Sequence, residues 1–275
     1  MTKNIYVSLI VPIYNAEKYL QRCLDSLSGQ TLNEIEILCV NDGSTDASHE
    51  ILNSYALRDP RIRVFNHQQN KGPGVARNTA LDNANGTYIL FCDADDTLEP
   101  DACRECCTVM ESNSVDIVIF NHWVVELDRT DTTYKNSKGE YISRVRPENV
   151  GVLNRKECFK ATLISSLWGV FFRFDLISRN ALRFTHHKNG EDSIFLYSYL
   201  MLVQLGYALD KKLYTYYAHK GSLADLAMNK CPWLGRFKYI PRVLGATFKF
   251  ALKKKRPFMG IYVFYRYFIW LQSRI

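Results

Sequence analysis

The first hundred residues alternate between short apolar runs and segments whose apolar residues recur at helical spacing. Four runs have the length and composition of buried strands: VSLIVPIY, IEILCVND, RIRVFN and TYILFCD. The segments between them predict three helices, with Asn15 expected to cap the first one and Gly72 opening the third. Strands that alternate with helices in this way predict parallel strands joined by helical crossovers. The expected fold class is therefore α/β.

Farther along the chain the pattern continues less regularly. A helix is predicted from Glu99 to about Asn113, and the run DIVIFNHWVVE predicts another strand. Residues 128–149 are polar and are interpreted as a loop or a mobile lid. Helices are expected to resume at Arg155.

Polar and turn-forming residues follow three of the predicted strands, at 12–15, 41–44 and 93–96. A parallel sheet binds its ligands beyond the carboxyl ends of its strands. We therefore expect these three segments to converge on one cleft.

The acidic segment after the fourth strand carries the strongest chemical signal. Asp93, Asp95 and Asp96 repel one another unless a cation or strong hydrogen-bond donors neutralise them. Because side chains alternate at a strand end, we expect Asp93 and Asp95 to point roughly the same way. Such oxygen ligands suit Mg²⁺ or Mn²⁺, with a diphosphate completing the coordination. The alternative is a turn in which Asp96 caps the following helix.

Composition narrows the class of protein. In 275 residues, 47% are hydrophobic and 23% are charged, which favours a globular chain over a disordered one. The net charge of +7 is concentrated in residues 211–275, where Asp225 is the one acidic residue. This excess of positive charge predicts an anionic partner, which would be a membrane surface or a nucleic acid. The alternative is a basic surface that is simply solvated. Because no helix-turn-helix, zinc or RNA-binding motif is recognisable, nucleic acid is not the expected partner.

The C-terminal tail joins a basic cluster at 253–256 to an aromatic run at 257–271, in which Arg266 is the one charged residue. This run is too short to span a bilayer comfortably, but aromatic residues beside lysines suit a membrane interface. The alternative is a final helix that packs on the catalytic domain.

Cysteine usage and the N-terminus bear on the compartment. Cys39 and Cys92 lie in apolar runs, and Cys103, Cys106 and Cys107 have no second pair at zinc-site spacing. No signal peptide is recognisable at the start of the chain. We therefore expect a reducing cytoplasm, with the protein peripheral at the inner face of the cell membrane.

A dinucleotide-binding loop at residues 72–74 is not expected, because Arg77 stands where the third glycine should be.

Four segments together carry a resemblance to a known family: VSLIVPIYN, VNDGSTD, NKGPGVARNTAL and YILFCDADD. In order and spacing they closely resemble the inverting family 2 glycosyltransferases, over residues 5 to about 110. LWGVFFRFDLI and NGEDSIFLYSYL look like the acceptor-side segments of that family. The resemblance implies a GT-A fold, a Rossmann-like, mostly parallel sheet flanked by helices. It places a catalytic domain at 1–220, with a nucleotide-sugar half at 1–112 and an acceptor half at 113–220. A helical extension follows at 221–275.

The resemblance also implies roles for individual residues. Asp192 matches the catalytic base, with Glu191 as the rival, and Asp95 matches the direct metal ligand, with Asp93 beside it. The residues expected at the nucleotide-sugar donor are Pro12, Tyr14, Glu17, Asp42, Lys71, Gly72, Arg77, Asn78, Asp93 and Ala94. His219 is expected near the metal or the diphosphate, or else is an ordinary surface histidine. Trp168 is either an acceptor platform or a core residue.

The expected function is metal-assisted transfer of a sugar, with inversion, from a nucleotide-sugar to a hydroxyl of a glycan or lipid-linked acceptor. UDP is the expected nucleotide and Mn²⁺ or Mg²⁺ the expected metal. A carboxylate would take the hydroxyl proton, and the metal would stabilise the leaving diphosphate. The expected setting is the biosynthesis of surface polysaccharide or lipopolysaccharide. The alternative is a catalytically inactive nucleotide-sugar-binding protein.

Overall fold

The computed structural model describes residues 5–126, 145, 147–162, 167–186, 190–219, 234–255 and 260. Within these residues nine strands form one sheet: β1 Val7–Ile13, β2 Ile35–Asn41, β3 Ile62–Asn66, β4 Tyr88–Phe91, β5 Thr97–Leu98, β6 Ile117–Glu126, β7 Gly151–Asn154, β8 Val170–Arg173 and β9 Leu205–Ala218. The helices of the same residues are α1 Glu17–Ser28, α2 Ser48–Arg58, α3 Pro73–Asp82, α4 Ala102–Asn113, α5 Arg155–Ala161, α6 Phe174–Arg179, α7 Glu191–Leu200 and α8 Leu234–Lys253.

The strands follow the order β3-β2-β1-β4-β8-β6-β9-β5, and β7 pairs with β9. β1 to β4 are mutually parallel, as the sequence predicts. β8 is antiparallel to both β4 and β6, so β6 runs in the same direction as β4. β9 is parallel to β6. The carboxyl ends of β1, β2, β4, β6 and β9 therefore lie at one edge of the sheet.

The central strands are buried on both faces, which explains their continuous apolar sequence. Ile10 of β1 belongs to one core cluster, and its neighbours Leu9 and Val11 belong to the other, on the opposite face. The predicted helices over the first 113 residues are confirmed, as is the helical restart at Arg155.

The prediction that Asn15 caps α1 is wrong. Asn15 has a φ of 49°, in the left-handed region, and Ala16 occupies the N-cap position. The start of α1 is capped instead by the first residue of α2 and the loop before it, because Ala16 N–H donates to Ser48 Oγ at 2.9 Å and Glu17 N–H donates to Asp46 Oδ2 at 3.0 Å.

α8 supplies the helical part of the predicted extension, and Val243, Leu244, Thr247 and Ala251 are its buried side chains among those described. The helix packs on α7. No helix of the described residues combines the length and the apolar character needed to cross a membrane. Most of the predicted lid and the aromatic tail lie outside the described residues, and the proposed domain boundaries stay predictions.

Candidate active site

The acidic segment forms a turn immediately beyond β4, closed by Asp96 N–H donating to the Asp93 carbonyl at 3.1 Å. Asp96 is fully buried, and its carboxylate accepts hydrogen bonds from the Tyr214 hydroxyl at 2.6 Å and from Tyr217 N–H at 2.8 Å. It therefore ties β9 to the turn. The alternative in which Asp96 caps the following helix is wrong, because β5 intervenes and Asp101 occupies the N-cap position of α4.

Asp93 and Asp95 contact different partners, because β4 has already ended at Phe91 and strand alternation no longer applies. Asp95 Oδ2 lies 2.9 Å from Nε2 of His219, the residue that follows β9. Burial and the neighbouring Asp93 carboxylate raise the pKa of Asp95, although the hydrogen bond with His219 opposes that shift. The structure thus brings together two of the three residues predicted to lie at the metal.

The donor atoms at Asp95 and His219 fit a divalent cation of the manganese type, which accepts both carboxylate oxygen and imidazole nitrogen. Within the described residues, no group of three His, Cys, Asp or Glu side chains could hold an ion. Two protein ligands leave coordination positions for a substrate diphosphate and water, as is usual for Mg²⁺ in phosphate sites. The residues therefore fit a metal that binds together with a phosphorylated ligand.

Arg77 of α3 lies at the centre of the site. Its buried guanidinium donates to Asp93 Oδ1 at 2.8 Å through Nη2 and to Asp192 Oδ1 at 2.7 Å through Nη1. Glu191 Oε1 lies 3.8 Å from the same Nη1. One cation thus faces three carboxylates, which leaves a formal charge of −2 in a largely buried cluster.

Burial raises the pKa of Asp192 to about 7. The nearby Arg77 cation opposes this rise in pKa, and the charges of Glu191 and Asp93 contribute to it. A carboxyl group that titrates near neutral pH is suited to proton transfer.

Glycine residues allow α3 and α7 to approach each other. A Cβ on Gly74 would lie 2.9 Å from the Thr185 carbonyl oxygen and 3.3 Å from Glu191 Cγ, so a side chain there would push the helices apart. Gly190, with a φ of 84°, occupies the N-cap position of α7. Glu191 and Asp192 consequently lie in the first helical turn, where the helix dipole favours negative charge.

The two acidic residues of α7 differ in accessibility. The Asp192 side chain is 30% exposed, whereas that of Glu191 is 8% exposed. Asp192 is therefore the one that an incoming hydroxyl reaches more easily. This observation supports Asp192 over Glu191 in the role that sequence left open between them.

Several residues predicted to contact the nucleotide hold loops in this structure. Asp42 is buried, and its carboxylate accepts hydrogen bonds from His67 Nδ1 at 2.6 Å and from the N–H groups of Lys71 and Gly72. The side-chain amide of Asn78 makes two hydrogen bonds with the backbone of Phe184: its NH₂ group donates to the carbonyl oxygen, and its oxygen accepts from the N–H.

Four other predicted donor residues lie along the same edge or beside it. Glu17 accepts a hydrogen bond from Ala47 N–H at 3.0 Å. Tyr14 is 49% exposed just beyond β1, and Pro12 lies within that strand. Ala94 lies in the acidic turn.

Trp168 lies just before β8 in an aromatic cluster. Its ring stacks on Tyr216 at 5.4 Å between centroids and on Tyr214 at 5.7 Å, and it meets His122 edge-on at 4.4 Å. Trp168 is half-buried against the core, so its role at an acceptor stays a prediction.

Sequence reasoning did not select Tyr19, Arg22 or Tyr214. The Tyr214 hydroxyl accepts from Asp93 N–H at 3.2 Å and donates to Asp96, so it fixes the acidic turn from below. The sequence signal for Tyr214 was its spacing of two residues from Tyr216 in LYTYYAH, because residues two apart in a strand lie on the same face of the sheet. Tyr19 and Arg22 were detectable as neighbours on one face of α1, because residues three apart share a helix face.

Comparison with known proteins identifies the class. The model of the family described as Glycosyl transferase family 2 matches residues 8–171, so the chain belongs to that family, as the sequence motifs predict. Glycosyltransferase GlyA of Streptococcus pneumoniae is 35% identical over 227 residues, covering 82% of this chain and 32% of GlyA. The uncharacterized glycosyltransferase EpsJ of Bacillus subtilis is 39% identical over 223 residues, covering 80% of this chain and 63% of EpsJ. The chain thus spans about a third of GlyA and under two thirds of EpsJ.

Solved structures agree on the fold. Staphylococcus aureus TarS 1–349, crystallised with UDP-GlcNAc, aligns with a TM-score of 0.71 at 23% identity, over 89% of this chain and 67% of that one. The mannosyltransferase PcManGT of Pyrobaculum calidifontis, in complex with GDP-Man and Mn²⁺, aligns with a TM-score of 0.61 at 16% identity, over 90% and 65%. The predicted GT-A fold, with its mostly parallel sheet, is confirmed.

Proposed function

We propose that this chain transfers a sugar from a nucleotide-sugar to an acceptor hydroxyl, with inversion at the anomeric carbon. The observation that carries the proposal is the bridge that Arg77 makes between Asp93, beside the candidate metal ligands, and Asp192, at the start of α7. A single displacement needs a base and a leaving-group site close to one sugar. The Arg77 bridge joins the candidate base, Asp192, to the acidic turn at which the leaving diphosphate would bind.

In this mechanism Asp192 is the general base. Its carboxylate takes the proton of the acceptor hydroxyl while that oxygen forms a bond to the anomeric carbon. The bond from that carbon to the diphosphate oxygen breaks, and its electron pair leaves with the nucleoside diphosphate. Burial, aided by the charges of Glu191 and Asp93, keeps the pKa of Asp192 high enough for the proton transfer, and Arg77 holds its carboxylate in place.

Asp95 and His219 would hold Mn²⁺ or Mg²⁺ together with the donor diphosphate, with Asp93 beside them. When bound, the metal acts as a Lewis acid that stabilises negative charge on the leaving group. Asp96 and Tyr214 fix the turn that carries Asp93 and Asp95.

We favour UDP as the nucleotide because TarS was crystallised with UDP and with UDP-GlcNAc, while GDP is the second choice from PcManGT. Pro12, Tyr14, Glu17, Asp42, Lys71, Gly72 and Asn78 are proposed to form or support the nucleotide-sugar pocket, with Trp168 on the acceptor side. A relative named poly(ribitol-phosphate) beta-glucosyltransferase, 31% identical over 216 residues, supports a polymeric acceptor. We place the reaction in surface polysaccharide or lipopolysaccharide assembly, on a glycan or lipid-linked acceptor.

We also propose that the protein binds the inner face of the cell membrane peripherally, through residues 221–275. α8 supports this placement, because its exposed Arg242, Lys249 and Lys253 lie opposite its buried side chains. Sedimentation with anionic and neutral vesicles tests this part. Equal recovery of the protein with both vesicle types would contradict it.

The experiment that tests the activity measures nucleoside diphosphate release from a panel of UDP- and GDP-sugars, with Mn²⁺ or with EDTA. We expect release from one donor, lost with EDTA and in Asp95→Ala. Donor binding by calorimetry without release, even with candidate acceptors added, would instead support the inactive nucleotide-sugar-binding alternative. If no donor binds, the proposed function is wrong.

A further inference from the structure

The first helix and the end of β9 meet directly behind the acidic turn. The ring of Tyr19 lies 4.4 Å from the ring of His219, measured between centroids and tilted by 32°. The guanidinium of Arg22 lies 3.5 Å from the centroid of the Tyr217 ring, and its Nη2 donates to the Asp95 carbonyl at 2.7 Å. Two residues of α1 therefore contact both elements that carry the candidate metal ligands.

These contacts fix groups that the sheet does not hold. His219 lies one residue beyond the last residue of β9, and Asp95 lies in a turn, so strand pairing orients neither side chain. The Tyr19 ring limits the orientation of the imidazole, while Arg22 holds the Asp95 backbone. Arg22 Nε is buried and lacks a hydrogen-bond partner among the described residues, which is costly for a charged group. The cation–π contact with Tyr217 offsets part of that cost.

We infer that Tyr19 and Arg22 are positioning residues that hold His219 and Asp95 at the spacing that a divalent cation needs. This inference rests on the metal-assisted function proposed above and assigns the support of its metal ligands to α1. Groups that orient metal ligands from behind commonly change metal affinity by 10- to 100-fold when they are replaced.

Because Arg22 is charged, the direction in which its replacement changes the affinity for the metal tests the inference. A guanidinium beside a cation site repels the cation, so an arginine that acted through charge alone would weaken metal binding. Replacing it with methionine would then strengthen binding. A positioning arginine predicts the opposite, because its loss releases the Asp95 backbone and Tyr217.

The experiment is a Mn²⁺ titration followed by electron paramagnetic resonance at saturating UDP. We expect Arg22→Met and Tyr19→Ala to weaken Mn²⁺ binding about tenfold. Tyr19→Phe should bind like the wild type, because the ring that contacts His219 is kept. Arg104→Met is the matched control, since Arg104 is an exposed arginine of α4 that donates to Thr31. UDP affinity in EDTA should stay within about twofold in every variant, which separates positioning from a general loss of structure.

Unchanged or tighter Mn²⁺ binding by Arg22→Met would overturn the role of Arg22, and unchanged binding by Tyr19→Ala would overturn that of Tyr19. If Arg22→Met does not fold, Arg22→Lys replaces it, and weaker binding is again expected because one ammonium cannot reproduce the planar guanidinium contacts. If the wild type itself binds no Mn²⁺ with UDP, the metal-assisted part of the proposed function fails together with this inference.

Discussion

Arg77 of α3 and Asp192 of α7 are 115 residues apart in sequence, yet Nη1 of the arginine donates to Oδ1 of the aspartate at 2.7 Å. The same guanidinium reaches Asp93 through its other terminal nitrogen. One side chain thus fixes the distance between the two halves of the candidate active site. Its loss is expected to affect both stability and catalysis.

Arg77→Met leaves the carboxylates of Asp93, Glu191 and Asp192 without their shared cation. We expect a loss of about 3 kcal/mol in the free energy of unfolding, at the lower end for a broken buried pair, because Asp93 and Asp192 are about one third exposed. Without the arginine the folded state binds protons more readily at Asp192, so stability falls as pH rises. Urea unfolding should therefore show a larger deficit at pH 8 than at pH 5.

Arg77→Lys is the control for charge in this measurement. It keeps one positive charge but cannot donate to Asp93 and Asp192 at once in the arginine geometry. We expect most of the stability to return while donor turnover stays low. Equal stability of Arg77→Met and the wild type at pH 8 would show that the carboxylates do not depend on this cation.

The pH dependence of turnover should report the titration of Asp192. Because burial raises the pKa of this group to about 7, and a general base must be deprotonated, kcat/KM for donor turnover should fall about tenfold per pH unit below 7. Above that pH it should level off. A profile that remains flat between pH 5 and pH 8 would exclude Asp192 as the base.

A separate prediction concerns the other end of the sheet, where Glu36 is buried. Burial raises its pKa, but hydrogen bonds from Ser8, Asn85 and Arg63 outweigh that effect, so the pKa is lowered overall. Glu36→Gln should therefore cost about 2 kcal/mol of unfolding free energy at pH 7. The contribution of a carboxyl group with a lowered pKa is fully present above about pH 4.5 and is lost on acidification below that, so the two proteins should converge in stability as the pH falls.

Glu36→Gln also serves as a control for the active site. The residue lies at the amino-terminal end of β2, at the edge opposite the candidate site. We expect kcat and KM of the Glu36→Gln variant at 25 °C to match the wild type within about twofold, because the molecules that remain folded keep the candidate active site intact. A large loss of activity without unfolding would mean that the two ends of the sheet are coupled.

The parallel half of the fold could be predicted because its physical signal is local. β1 and β2 are covered on both faces, so their sequences are continuous apolar runs, and the helices between them bury one face each. The carboxyl-edge rule then brought Asp93 and the loop after β2 to the same side of the sheet. The family motifs placed Asp192 near them without any knowledge of the intervening strands.

The contacts that define the site could not be predicted in the same way, because they depend on how separate elements approach. The pairing of Arg77 with Asp192 requires the close approach of α3 and α7 that Gly74 permits, and no spacing in the sequence encodes it. The sequence left open the alternative role of Asp96 as a helix cap, because the hydrogen bond that its carboxylate accepts from the buried Tyr214 hydroxyl joins residues 118 apart. Asn15 was predicted to cap α1, but its backbone is in the left-handed region and the residue lies outside the helix.

A role for Asp192 in the chemical step predicts that its replacement impairs donor turnover far more than donor binding. Donor binding by calorimetry and donor turnover are measured in the wild type, in Asp192→Asn and in Glu191→Gln, all at pH 8. We predict that Asp192→Asn binds the donor with nearly wild-type affinity but loses turnover by about 10²- to 10⁴-fold, while Glu191→Gln loses much less. Full turnover by Asp192→Asn, or the reverse ranking of the two variants, would show that Asp192 is not the base.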